Sequence, residues 1–168
     1  MTPPPQTPAQ AAEALYAILP HAVTRATLEE YGIEASPEQA QQITRETLSL
    51  SLFWVRTALE AMLSDADSNR IFTELRQAIL STWESEFGLK GHDAHAYFEE
   101  VEQRRSVYDK IMREGGQSVS IFSEAAAILD SSRLVRSADH QKVLAFFLDL
   151  VPVEQVGEAV EEIDLRGP

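Results

Sequence analysis

Cysteine is absent from the chain, which excludes disulfides, thiolate metal sites and cysteine nucleophiles. Lysine is scarce: only Lys90, Lys110 and Lys142 occur, and 14 Lys and Arg face 27 Asp and Glu. The resulting formal charge of -13 works against any partner bound by neutralising phosphates. Neither nucleic acid nor an anionic membrane is therefore expected. Long apolar runs are also missing. The densest, Leu48 to Val55, is interrupted by Ser49 and Ser51 and falls far short of the roughly 18 residues a transmembrane helix requires. The opening "MTPPPQTP" has no basic start and no apolar segment, so the cytoplasm is the expected compartment.

Nucleophile and nucleotide signatures are lacking as well. There is no Gly-x-Ser-x-Gly and no Ser-x-x-Lys. "REGGQS" at 113–118 has two glycines but no Gly-Lys-Ser/Thr ending, and reads as a helix stop. Adjacent acidic pairs such as Glu99–Glu100 splay apart on a helix and do not oppose one another as an acid and base would.

What is present is helical periodicity. Nothing alternates with period two over a strand's length, so the chain reads as all-α. Residues 1–7, with three consecutive prolines, read as a flexible arm, and 8–168 as a single domain. Thr7-Pro8 starts a first helix whose stripe persists to Gly32, kinked or split at Pro20. "SPEQ" at 36–39 starts a second with a capping box, running over about 37–63. The "SDADSN" stretch reads as a loop, followed by helices over about 68–88, 92–113 and 120–130. Ser137 is the expected cap of a helix ending near Val151, and Pro152 opens a last short one. The short connections suit a bundle of six or seven helices around the long second one.

Three clusters carry candidate chemistry. In "GHDAHAYFEE", His92, His95 and Glu99 lie within about 60° of one another on a helical wheel and could hold a metal. The apolar arc of that helix, containing Ala94, Tyr97, Val101, Tyr108, Ile111 and Met112, points about 130–170° away. The trio is therefore expected in solvent, as an adventitious metal site at most. His92 stands at the very start of the helix, where the wheel constrains it least. No cofactor is expected: His140 falls on an apolar face as a haem ligand would, but in a helix's first turn. His21, beside Pro20, reads as structural too. Arg105 lies about 50° from the centre of the same apolar arc and needs a partner, either a carboxylate of another helix or an anionic contact.

The second helix is apolar on two sides. Leu48, Leu52, Val55, Leu59, Met62 and Leu63 form one stripe, while Ile43, Leu50, Trp54 and Ala61 lie about 180–240° round. Either other helices wrap it, or Ile43, Leu50 and Trp54 meet a partner chain or a second copy of this one. The functional expectation is a non-enzymatic, acidic interaction or regulatory protein bound to a protein partner or self-associated. A helical pocket protein for a small apolar or anionic ligand is the alternative. An enzyme with dispersed catalytic groups comes third.

Overall fold

A computed structural model of the chain describes residues 4–132 and 136–165, with the backbone alone at Ser137. Among these residues there are helices and no strand. In chain order they are α1 (Pro8–Ile18), α2 (Arg25–Glu30), α3 (Pro37–Met62), α4 (Asp65–Ser81), α5 (Ala94–Arg113), α6 (Ser118–Ser131), a 3-10 turn (Ser137–Asp139), α7 (His140–Leu150) and α8 (Val153–Glu161).

The helix starts follow local chemistry. Thr7 accepts from the Gln10 N–H and Ser36 from that of Gln39, and both glutamines reply to the cap backbone, closing two capping boxes with proline at the first helical position. Pro20 splits the expected first helix: α1 ends at Ile18, and Thr24 caps α2 anew.

"SDADSN" is a helix start rather than a loop. Ser64 accepts from the Asp67 N–H, and Asp65 and Asp67 sit in the first turn, where carboxylates complement the helix dipole. The far end of α4 is Ser81 rather than Gly88. Residues 82–87 coil into a separate turn closed by Leu89 N–H to Trp83 O at 3.2 Å, with Gly88 at φ 64°. α5 begins at Ala94, capped by Asp93, so His92 precedes it.

The helix expected from Ser137 begins with the 3-10 turn, and the capping hydroxyl expected there lies outside the described residues. Of the arm, residues 1–3 lie outside the described residues. Gln6 is tied down, donating its N–H to Asp164 O at 2.7 Å.

Every residue of α3 from Glu46 to Val55 is buried, the pattern of a helix wrapped on all sides. It divides the interior into two apolar clusters. On one side Leu48, Leu52, Val55 and Leu59 meet Leu15 of α1, Ile71, Leu75 and Ile79 of α4, Tyr97 and Val101 of α5, and Val156 and Val160 of α8. On the other, Ile43, Leu50, Phe53 and Trp54 meet Leu28 of α2, Phe122 and Leu129 of α6, and Val143, Phe146 and Phe147 of α7.

That second cluster decides between the two readings of the second face of α3. Ile43 and Leu50 are 0% exposed and Trp54 9%, so the face offered to a partner chain is filled by α2, α6 and α7 of the same chain. One residue of the main stripe turns outward: Met62, at the last turn of α3, is 56% exposed, while Leu63 packs against the first cluster.

Candidate functional site

Polar side chains converge where α5 crosses α3. From α3, Glu46 lies on the apolar side, three residues after Ile43 and four before Leu50, and is buried. Arg104 Nε of α5 donates to its Oε1 at 3.2 Å, and Tyr108 O–H donates to the same oxygen at 2.9 Å. Arg104 also lies 3.5 Å from Glu100, whose other oxygen accepts from Arg45 Nη2 at 2.5 Å. Arg45 stands over the Tyr97 ring, 5.4 Å from its centroid. The Tyr97 hydroxyl donates to Arg45 O at 3.1 Å and accepts from Ser49 Oγ at 3.0 Å. Two outer pairs flank this centre: Arg56 with Glu102, and Arg105 with Glu60, each at 2.5 Å.

Burial sets the electrostatics. It pushes the Glu46 carboxyl above its usual range despite the opposing pull of Arg104 and the Tyr108 hydrogen bond. For half-buried Arg104, desolvation is outweighed by Glu46 and Glu100, and its pKa rises. The arginine thus stays charged, and the cost of burying the pair falls on the carboxylate. Burial, and for Tyr108 the neighbouring Glu46, raises both tyrosine hydroxyls far above their usual value and keeps them as donors.

The histidine trio does not assemble. His92 turns toward α3, with Nδ1 3.2 Å from Arg45 Nη1 and Nε2 3.2 Å from Gln41 Oε1. Arg45 can only donate, so Nδ1 is the acceptor and Nε2 carries the proton. Burial, then the Arg45 charge, lowers the His92 pKa. His95 and Glu99 stay exposed on α5, and no group of three His, Cys, Asp or Glu among the described residues could hold a metal ion.

Arg105 takes the intramolecular course: besides Glu60 it lies 3.8 Å from Glu102 and 3.6 Å from Asp109. His21 packs against Tyr16 and Phe87, 3.7 Å from Glu86. His140 opens α7, half-buried.

Glu46 and Arg104 were not singled out in the sequence, although each carries a signal. Glu46 continues the Ile43–Leu50–Trp54 stripe. With Phe98 taken as zero, Arg104 falls at about 240° on the α5 wheel, inside the apolar arc of about 220–320°. A charge in register with an apolar stripe is the mark of a buried ion pair.

Concave surface lies elsewhere. A groove of about 660 Å³ runs between Pro4, Pro5, Gln6 and Gln10 on one side and Glu162 and Asp164 on the other. A shallower one of about 450 Å³ follows the α1–α4 seam past Ala12, Glu13, Glu74 and Ala78. The polar centre at α3 and α5 lines neither. It ties two helices together through charge-assisted hydrogen bonds.

Comparison with known proteins returns nothing: no family model, no curated protein and no solved structure matches this chain.

Proposed function

We propose that this protein is a non-enzymatic interaction protein of the cytoplasm whose acidic surface binds a basic protein partner. One observation carries the reading. Four arginines at the α3–α5 crossing — Arg45, Arg56, Arg104 and Arg105 — are committed to carboxylates of the same chain. The cationic charge at that crossing is neutralised within the fold, while Glu13, Glu29, Glu74, Glu99 and Glu158 remain on the outside. A net charge of -13 then sets up a field that speeds the approach of a cationic partner and repels an anionic one. Self-association loses the residues that suggested it, since Ile43, Leu50 and Trp54 lie inside the fold.

The reading is tested with the protein that co-purifies from the native host, identified by mass spectrometry and measured in binding. A basic partner is expected, with association slowing steeply between about 0.01 and about 0.15 M salt as the Debye length shrinks from about 30 to about 8 Å. A partner of neutral or acidic charge, bound at a rate indifferent to salt, overturns it.

A further inference from the structure

The charges at the α3–α5 crossing form one chain with alternating signs. Glu46 holds Arg104 at 3.2 Å, Arg104 reaches Glu100 at 3.5 Å, Glu100 holds Arg45 at 2.5 Å, and Arg45 meets His92 at 3.2 Å. Gln41 extends the chain, binding His92 Nε2 at 3.2 Å and donating to Gly88 O at 3.1 Å. Both ends titrate: Glu46 in the interior, His92 at the edge. With Glu46 ionised and His92 neutral, two arginines balance two carboxylates. With a proton on each end, three cations face Glu100 alone.

We propose that this chain is a proton-responsive clasp, in which proton uptake at Glu46 and His92 frees the turn at residues 90–93 from α3 while the bundle, with Phe87 and Leu89 still in its core, stays folded. A neutral Glu46 releases Arg104, which already stands beside Glu100 and competes there with Arg45. A charged His92 has no lone pair left for Arg45 and repels it. The segment then loses the contacts that run through His92.

The surroundings of each end bear on the balance. His92 is faced by Arg45 and Gln41 from α3, and its backbone oxygen accepts from Trp83 Nε1 at 3.0 Å. Asp93, next in sequence, is committed to capping α5. Glu46 is faced by Arg104, Tyr108 and Glu100 from α5, and Glu124 of α6 acts on Tyr108.

Burial brings the two titrations together, raising Glu46 and lowering His92. Their effects on stability oppose one another. A carboxylate whose folded pKa is raised strengthens the fold as pH falls through it. A histidine whose folded pKa is lowered weakens the fold as pH falls through 6.5.

Trp83 reports on the clasp directly, and Trp54→Phe silences the only other indole. In that background, emission, helix content by circular dichroism and amide exchange at residues 88–92 are followed from about pH 7.5 to about pH 4.5, across the ordinary range of His and Glu. A reversible emission change with reduced amide protection, measured against the intrinsic exchange rate at each pH, is expected at constant helix content. His92→Gln, which keeps the polar contacts, should lose the transition, and Glu46→Gln should shift it to higher pH. Quenching without loss of protection would mean that the proton binds with the clasp closed. That result overturns the proposal, as does a change coincident with loss of helix, or one profile shared by all three proteins.

Discussion

Glu46 is the buried carboxylate of the α3–α5 contact, and a buried carboxylate tolerates the loss of its partners poorly. Arg104→Met leaves it with the Tyr108 hydroxyl alone. Breaking a buried pair costs about 3–5 kcal/mol, and since the Arg104 side chain is 23% exposed the expected loss lies at or below the lower end of that range. Glu46→Leu combined with Arg104→Met should recover much of it, because an apolar pair of similar volume carries no desolvation cost. Urea unfolding of the three proteins decides, and equal stability of wild type and Arg104→Met would remove the pair from the account.

Asp139 makes the contrasting case. It too is buried, but the Arg136 and Lys142 hydrogen bonds outweigh the desolvation and hold its carboxyl below the usual value. The stability it contributes is present above its ordinary pKa near 3.8 and lost as pH falls through the lowered folded value. Asp139→Asn should flatten the acid limb of a stability–pH curve while leaving its neutral part parallel to that of wild type.

Among the elements, α3 depends most on how it starts. Its first turn is satisfied by the Ser36 and Gln39 side chains, and Ser36→Ala should cost about 1 kcal/mol of global stability. The global measurement applies because Ala40 and Ile43, in the first two turns of α3, belong to the second cluster, which fraying would open. The α5–α6 connection is constrained differently. A Cβ at Gly116 would lie 2.5 Å from Ile111 Cγ2 and 2.7 Å from the Ile111 carbonyl oxygen, and backbone cannot swing aside as a side chain can. Gly116→Ala should destabilise by about 1–3 kcal/mol, as overpacking does. At Gly91, where nothing lies within 4 Å, the same change meets only the cost of φ 84°.

For the whole molecule, a central helix shared by two clusters predicts that neither cluster melts alone. The chain carries one tryptophan in each: Trp83 with α1, α4 and α8, and Trp54 with α6 and α7. Denaturation followed in Trp54→Phe and in Trp83→Phe should show the same steepness, with midpoints that differ only by each substitution's own effect on circular dichroism. Separate fluorescence transitions within one protein's helix-loss curve would divide the chain into two units.

Periodicity and punctuation in the sequence determined the helical class, the Ser36 start, the two-sided character of α3 and the exposed placement of His95 and Glu99. These are properties of a few adjacent residues, namely a cap, a proline or a stripe at 3.6 spacing, and they act before any tertiary contact exists. Only the tertiary structure decided what covers the second face of α3, because an apolar stripe is satisfied equally by a neighbouring helix or by another chain. The orientation of His92 was decided there too: one residue ahead of α5, it is placed by Arg45 and Gln41, some 50 residues away in sequence, and not by any helical phase. The partnership of Glu46 with Arg104 likewise belongs to the fold, since each charge was visible in its stripe but the crossing of α3 and α5 alone brings them within 3.2 Å.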